Sequence, residues 1–279
     1  MSEKFKEKII EDLGKTGFPL EVFVASELGD NDWIVYSSSL YRDEETEKPR
    51  ELDIHAVKVD HRYVQSFPYK TKIGDENKLV QHMIIQCKKT DKPWVFFDNG
   101  KTSWPQIPAE CFKSKKEEFH EMSFEELETF GLKSHRFKKY VLHKSYHEAF
   151  SGPKQLSKIY ESFITLIKAL KFFKRQYGVG SYVIHYFAPI IVLDGTLWSA
   201  TLKKNTTVKL NVLLKEVNKL FIVFNWLSQP DERDISYEKE QIIEVITRKA
   251  FKKSLLEIEK DNKELYRCWT NFIITKNAS

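Results

Sequence analysis

Two helical patterns of apolar positions open the chain. Across residues 3–14 the apolar side chains recur along one stripe, which predicts a short amphipathic helix. Pro19 then suits the first turn of a second helix, which we expect to continue to about Gly29. Glu21 stands at helical spacing from the apolar residues that follow it. A carboxylate therefore lies on or beside the packing face of this second helix.

Short apolar runs between turn signals predict a series of strands after these helices. In the first hundred residues we expect four strands, at 33–40, 51–59, 79–88 and 94–97. Long polar connections separate the first three strands. The run at 79–88 is apolar enough to indicate a central strand, where polar side chains are costly.

Two polar triplets interrupt these strands, and the first is Glu51-Leu52-Asp53. Residues two apart on a strand face the same way, so Glu51 and Asp53 are expected on one face. The other face would then carry Leu52, Ile54 and Ala56.

The second triplet, Gln86-Cys87-Lys88, follows the same rule. Gln86 and Lys88 are expected on one face, opposite Ile85 and Cys87. If the two strands are neighbours, a carboxylate, an amide oxygen and an ammonium meet at one place. Such a group of side chains suits a metal ion and a phosphodiester.

The second half of the chain has one clear helix among further strands. Residues 153–176 have an apolar side, and their six basic residues and one acidic residue make the helix strongly basic. We expect further strands at 182–193, 207–214, 219–226 and 242–246, and a last helix at about 249–267. No repeat or composition shift marks a boundary, so we predict a single elaborated α/β domain over residues 1–279.

Composition narrows the class of protein. With 279 residues, 41% of them hydrophobic, the chain can bury a sizeable core and is unlike a disordered protein. Its net charge of +5 mildly favours a polyanionic partner. Three scattered cysteines indicate neither a zinc site nor a disulfide framework, so a reducing cytoplasm is expected. We see no signal peptide and no apolar run long enough to span a membrane.

Phosphodiester hydrolysis requires a positioned and deprotonated water and stabilisation of charge on the phosphoryl and leaving oxygens. Bound Mg²⁺ or Mn²⁺ can provide this with one or two carboxylates as ligands. Asp53 would be the main ligand and Gln86 an oxygen donor, while Lys88 would act as the cation that holds water or phosphate. Glu21 or Glu51 could supply a further carboxylate.

These residues resemble the PD-(D/E)XK nuclease superfamily. Three motifs carry the resemblance within residues 17–97, namely Gly17-Phe18-Pro19-Leu20-Glu21, Glu51-Leu52-Asp53-Ile54 and Ile84-Ile85-Gln86-Cys87-Lys88. The pattern is closest to Mrr-like restriction endonucleases, in which glutamine replaces the acid before the lysine. In that family a helix carries the glutamate, a β-hairpin carries the aspartate, and the following strand carries the glutamine and lysine.

The resemblance implies a restriction-endonuclease-like core, a central mixed β-sheet flanked by helices, extended or completed by residues 104–279. It implies a Mg²⁺- or Mn²⁺-dependent endonuclease acting on DNA in the cytoplasm, with a role in restriction or defence. The implied catalytic residues are Glu21, Asp53, Gln86 and Lys88, with Asp53 and Gln86 as metal ligands. We add Glu51 as a further metal ligand because it is expected on the same face as Asp53. For nucleic-acid contact we assign Lys89, Lys171, Lys174 and Arg175, of which the last three lie on the basic helix.

Other interpretations stay open at this point. Because Gln86 brings no charge, the chain could be a nucleic-acid-binding module that keeps the nuclease fold without its activity. It could also be an interaction scaffold with no nucleic-acid role, and residues 104–279 could form a homodimer. Taken separately, each polar triplet could be the solvated edge of a strand, and Glu21 could simply face solvent.

Several other residues attract notice and have simpler explanations. His143 and His147 are spaced i, i+4, but core or surface histidines are expected more often than ligands. Gly178-Val179-Gly180 lacks the third glycine of a dinucleotide loop. Trp94, Trp104 and Trp198 could stack on bases, although core packing is the usual role. Cys87 is expected to be a small core residue.

Overall fold

The computed structural model describes residues 3–60, 78–98, 109–111, 120–122, 141–151, 158–177, 183–202, 211–227 and 238–278. In these ranges the chain forms the helices α1 (Glu3–Lys15), α2 (Phe18–Gly29), α3 (Lys158–Tyr177) and α4 (Phe251–Ala278). All four were predicted, although α4 continues well beyond residue 267. A single 3₁₀ turn, Arg248–Ala250, precedes α4. No helix within the described ranges combines the length and the apolar character that crossing a membrane requires.

Twelve strands lie in the described ranges. In chain order they are β1 (Ile34–Arg42), β2 (Pro49–Asp60), β3 (Lys78–Lys89), β4 (Trp94–Asp98), β5 (Ala109–Cys111), β6 (His120–Met122), β7 (Leu142–Glu148), β8 (Val183–Asp194), β9 (Leu197–Leu202), β10 (Val212–Glu216), β11 (Lys219–Leu227) and β12 (Glu238–Thr247). The strands predicted in the first hundred residues are confirmed as β1 to β4, and those at 182–193, 219–226 and 242–246 as β8, β11 and β12. Of the strand predicted at 207–214, residues 207–210 lie outside the described ranges, and β10 begins at Val212.

Ten of these strands form one mixed sheet, in the order β1-β2-β3-β8-β12-β11-β7-β4-β9-β10. Strands β1, β2 and β3 pair antiparallel in succession, whereas β8 pairs parallel with β3 and with β12. Strands from both halves of the chain are therefore neighbours at the centre of the sheet. The architecture is α/β, as predicted.

The sheet turns a corner where two parallel strands end side by side. Strands β3 and β8 pair along their length, and their successors β4 and β9 also pair in parallel. Between them, the Thr90 N–H donates to Asp194 O at 3.1 Å and the Trp94 N–H donates to Thr196 O at 3.0 Å. The paired chains thus remain hydrogen-bonded through the turn, which carries the sheet into its second part.

Two apolar clusters lie on opposite faces of the central strands. The first, which we call the α2–α4 cluster, joins residues of α2 and α4 to β2, β3, β8 and β12. The second, the α3 cluster, joins residues of α3 to the other face of the same strands and to β4, β7 and β9 beyond the corner. Burial on both faces explains why β3 and β8 are almost continuously apolar in sequence.

Gly195 occupies the tightest point of the corner. A Cβ atom built on Gly195 would lie 2.7 Å from Thr90 O and 3.0 Å from Thr90 Cγ2. Because Thr90 O belongs to the backbone, the corner itself would have to shift. We expect Gly195→Ala to lower the free energy of unfolding by about 1–3 kcal/mol, the usual cost of overpacking, in urea denaturation.

Gly29→Ala is the matched control for this change. The same methyl group on Gly29 meets no atom within 4 Å, and Gly29, the last residue of α2, has no positive φ, so alanine has the higher helix propensity there. We expect Gly29→Ala to leave stability unchanged or slightly raised. Equal effects of the two substitutions would contradict the close packing at the corner.

Candidate functional site

Asp53 lies at the point where β2 separates from β3. The antiparallel pairing of the two strands extends from Asp60 opposite Leu79 to Ile54 opposite Ile85. At the next position Asp53 Oδ2 accepts hydrogen bonds from the Cys87 backbone N–H at 2.6 Å and from Gln86 Nε2 at 2.5 Å. A side-chain carboxylate thus takes the place of a backbone carbonyl as the acceptor for β3, which fixes Asp53 against the second triplet.

The same separation disturbs the alternation of faces along β2. Ile54 and Ala56 belong to the α2–α4 cluster, whereas Leu52 belongs to the α3 cluster. The prediction that Leu52 shares a face with Ile54 and Ala56 is therefore wrong. Across the strand pair, the residue opposite Asp53 is Ser38, whose φ of +52° is left-handed and interrupts the regular β1 backbone.

Gln86 is a buried amide whose nitrogen donates a hydrogen bond while its oxygen accepts none from the described residues. The side chain is 3% exposed, and its Nε2 donates to Asp53. Among the described residues, its Oε1 has no hydrogen-bond partner. An unmet buried acceptor costs about 1–3 kcal/mol. A cation bound near Asp53 could satisfy this unpaired oxygen.

Three more charged side chains surround this pair. Burial raises the pKa of Glu21, the charges of Asp53 and Glu51 raise it further, and the Lys88 ammonium opposes them. These four charged groups therefore act on one another at close range. Within the described ranges, the side chains of Glu21, Glu51 and Lys88 form no hydrogen bond and no ion pair. Glu21 is half-buried and Glu51 is exposed, so the group opens toward solvent.

The electrostatic balance at Asp53 favours a positive charge. The pKa of the Asp53 carboxyl is raised, chiefly by burial and also by the charge of Glu51. The Lys88 ammonium, the Cys87 N–H and the Gln86 amide lower this pKa, but they do not cancel the effect of burial. Three carboxylates and one ammonium act on one another here, so negative charge is in excess at this end of β2 and β3 when all of them are ionised. A divalent cation would relieve this excess, because its charge would offset the repulsion among the carboxylates. The Gln86 Oε1 atom could also coordinate it.

The raised pKa of Asp53 predicts how stability depends on pH. The folded chain holds the Asp53 proton to a higher pH than the unfolded chain does, so ionisation of Asp53 removes stability as pH rises from about 4. Asp53→Asn cannot ionise. We expect its stability relative to the natural chain to increase between about pH 4 and pH 7.5, measured by urea denaturation in EDTA. Asp91→Asn, at an exposed turn, is the control and should show no such trend. A stability difference between Asp53→Asn and the natural chain that does not change with pH would contradict the raised pKa of Asp53.

The structure brings together the site residues that the sequence predicts, namely those of the two polar triplets and Glu21 of α2. Asp53 and Gln86 are in direct contact, while Glu21, Glu51 and Lys88 lie within electrostatic range of them. The backbone N–H of Cys87 is a contact that the sequence did not indicate. The Cys87 side chain is buried in the α2–α4 cluster, which confirms it as a small core residue. Burial raises its pKa well above the usual range.

The residues assigned to nucleic-acid contact have protein partners in this structure. Lys171 Nζ lies 3.5 Å and Arg175 Nη1 2.5 Å from carboxylate oxygens of Glu44. Lys89 Nζ donates to Gly14 O at the end of α1. Lys174 lies near the exposed C-terminal end of α3. Part of the positive charge of α3 is thus balanced by the turn between β1 and β2.

Two of the remaining candidates lie in the core, and two lie outside the described residues. Trp94 is fully buried, which confirms core packing, and His143 is a buried strand residue bonded to two protein groups. Trp104 and Gly178-Val179-Gly180 lie outside the described residues.

Comparisons with known proteins give no relative for this chain. No protein-family model matches it, and neither the curated proteins nor the solved structures contain a significant match. Among the described residues, no group of three or more histidine, cysteine or acidic side chains is arranged to hold a metal ion. A cation at this site would therefore rest on few protein ligands, as Mg²⁺ commonly does.

Proposed function

We propose that this chain is a metal-dependent nuclease of the PD-(D/E)XK type that hydrolyses phosphodiester bonds in DNA. One observation carries the proposal: the buried Gln86 Oε1 has no hydrogen-bond partner within the described ranges, and it belongs to an amide whose Nε2 contacts the Asp53 carboxylate. The donor set fits Mg²⁺ or Mn²⁺, because both prefer oxygen ligands and accept a site with one or two carboxylates.

The order of the elements supports the same class. Glu21 lies in the first turn of α2, Asp53 lies on the second strand of the β1–β2 hairpin, and Gln86 and Lys88 lie on β3, which follows. That is the succession of helix, hairpin and strand in the family that the sequence resembles. The central mixed sheet with helices on both faces agrees with a restriction-endonuclease-like core.

Each residue has a role that its surroundings support. Asp53 and Gln86 would hold the cation, with Glu51 or Glu21 completing the oxygen ligands. When bound, the cation supplies charge neutralisation on the phosphoryl oxygens and lowers the pKa of water. Lys88, which has no carboxylate partner in the described ranges, is placed to hold a phosphate oxygen or the attacking water. Glu21, whose pKa is raised, is a candidate to accept the proton of that water.

A binding module without activity is the second candidate function. It is favoured by the direction of the Gln86 amide, whose Nε2 rather than Oε1 contacts Asp53, and by the neutral charge of glutamine. Such a module would bind DNA with a steep salt dependence and leave it intact.

The experiment that separates the two candidates is incubation with supercoiled plasmid, duplex and single-stranded DNA in Mg²⁺ or Mn²⁺. Cleavage that stops in EDTA supports the nuclease. Salt-sensitive binding without cleavage supports the binding module. If the chain neither binds nor cleaves any of these substrates, both candidates are wrong.

Metal binding itself is tested by replacing the unpartnered amide. We expect Mn²⁺ at about 100 times its Kd to stabilise the natural chain by about 2.7 kcal/mol, a rise in Tm of several degrees. Gln86→Met keeps the side-chain length but removes the oxygen, and we expect a loss of Mn²⁺ affinity of at least about tenfold.

Gln81→Met is the matched control on the same strand. Gln81 is a buried amide that accepts a hydrogen bond from Asn262 on α4, so its loss should destabilise the chain by about 1–3 kcal/mol. The Mn²⁺-induced rise in Tm should nevertheless persist. If both variants respond to Mn²⁺ like the natural chain, Gln86 is not a ligand.

A further inference from the structure

A serine, a histidine and a backbone carbonyl form a hydrogen-bonded chain beyond the corner of the sheet. His143 on β7 contacts Ser199 Oγ on β9 through Nε2 at 2.8 Å and Phe221 O on β11 through Nδ1 at 3.1 Å. His143 is 3% exposed, and Ser199 is half-buried. Three separate strands thus bring the hydroxyl of a half-buried serine to a fixed imidazole.

The carbonyl determines which nitrogen of His143 is the base. A carbonyl oxygen only accepts hydrogen bonds, so Nδ1 must carry the proton that it donates to Phe221 O. In the neutral ring Nε2 is then the acceptor, and Ser199 donates its hydroxyl proton to it. Burial lowers the pKa of His143, which keeps the ring neutral and able to accept that proton. The Phe96 ring packs against His143 at 6.4 Å between centroids, which restrains its orientation.

Asp98 adds a carboxylate within electrostatic range of the ring. Asp98 on β4 stands opposite His143 on β7, and its charge raises the pKa of His143 against the effect of burial. Its own position is fixed by Thr201, whose Oγ1 donates to Asp98 Oδ2 at 2.6 Å. A carboxylate so placed stabilises the imidazolium that forms when the serine loses its proton.

We propose that Ser199 and His143 form a second reactive site, a nucleophile and its base, that attacks small carboxylic esters. Ser199 Oγ bonds to the carbonyl carbon while its proton passes to His143 Nε2. The bond from that carbon to the alcohol oxygen breaks, and the alcohol leaves with the proton. Water, deprotonated by the same nitrogen, then releases the acid and restores the hydroxyl.

Phe221 and Asp98 are positioning residues in this scheme, since neither contacts the ester. The site does not depend on the proposed nuclease function. Its strands β7, β9 and β11 lie in a different part of the sheet from β2 and β3, which carry Asp53 and Gln86.

The test is reaction of the full chain with a fluorophosphonate, in which the Oγ–P bond forms and fluoride leaves. We expect one adduct, mapped to Ser199 by peptide mass spectrometry, at a rate at least about 100-fold above that of any other serine. Labelling should also abolish hydrolysis of p-nitrophenyl acetate. An unlabelled Ser199, a rate equal to that of other serines, or full ester hydrolysis by the labelled chain would each overturn the proposal.

Variants give a second and independent measurement. Ser199→Ala should take up no label, and His143→Gln should be labelled at least about 100-fold more slowly. Ser145→Ala is the matched control, since it removes an exposed serine hydroxyl on β7, two residues from His143, and should keep labelling at Ser199. If His143→Gln folds, as judged by circular dichroism, and is labelled at the natural rate, His143 is not the base. If His143→Gln does not fold, the labelling rate of Ser199 in the natural chain, compared with that of its other serines, tests the proposal.

Discussion

Asp53→Asn should abolish Mn²⁺-dependent cleavage of DNA, with a loss of at least about 10³-fold. The substitution preserves the size of the side chain, and its amide oxygen can still accept from the Cys87 N–H. What it removes is the negative charge that would hold the cation next to the phosphate. Metal stabilisation of the transition state is worth several kcal/mol, and each 1.36 kcal/mol corresponds to about tenfold in rate.

Asp91→Asn is the matched control for this prediction. Asp91 is an exposed carboxylate in the turn between β3 and β4, so the same change of charge takes place only a few residues from Lys88. We expect its cleavage rate to remain within about twofold of the natural chain. Equal rates for Asp53→Asn and the natural chain, in the same preparation and metal, would show that the cleaving site lies elsewhere.

Phe163→Ala should be among the most destabilising substitutions in the chain. Phe163 is fully buried in the middle of the α3 cluster, and its ring lies 5.1 Å from Phe224, 5.3 Å from Tyr146 and 6.3 Å from Phe96 between centroids. These three rings belong to β11, β7 and β4, so one side chain joins α3 to the second part of the sheet. Replacing a buried phenylalanine by alanine costs about 3–5 kcal/mol, because the cavity closes only partly.

Phe172→Ala on the same helix is the comparison for Phe163→Ala. Phe172 is partly buried at the edge of the α3 cluster, so the same truncation should cost less than half as much. Urea denaturation of both variants, with unchanged m-values, measures the difference. A cost for Phe163→Ala no larger than that for Phe172→Ala would contradict the placement of α3 between the two parts of the sheet.

The helices and strands of this fold could be predicted where apolar residues recur along the chain with a clear period. Helices α1 and α2 and strands β1 to β4 agree with the sequence within a few residues, because apolar spacing and turn residues act locally. Strands β7 and β9 were not predicted. His143 and His147 suggested a helical spacing rather than a strand, and β9 follows β8 after only Gly195 and Thr196.

The order of strands in the sheet could not be predicted from these patterns. Strand β8 inserts between β3 and β12, and the corner at Gly195 joins two parts of one sheet through contacts distant in sequence. Such pairings depend on how whole strands pack, which a local apolar period does not encode. The C-terminal end of α4 also exceeded the prediction, since residues 268–278 contain no glycine or proline that would end a helix.

The proximity of the candidate site residues could be predicted from sequence, while their roles stay a prediction. Three motifs in order placed Glu21, Asp53, Gln86 and Lys88 together, and the structure brings them within contact or electrostatic range. The detail that sequence could not supply is the break at Asp53. There β2 leaves β3, Leu52 changes face, and a carboxylate replaces a backbone acceptor. The Ser199–His143 pair carries no sequence signal either, since its members are 56 residues apart.

The proposed nuclease depends on a cation bound by Asp53 and Gln86, and a crystal structure with soaked Mn²⁺ tests this most directly. Anomalous scattering locates Mn²⁺ without reference to the protein atoms. We predict one strong peak within about 2.0–2.4 Å of an Asp53 carboxylate oxygen and of Gln86 Oε1. A fully occupied Mn²⁺ bound elsewhere, with Gln86 Oε1 still without a partner beside Asp53, would contradict it.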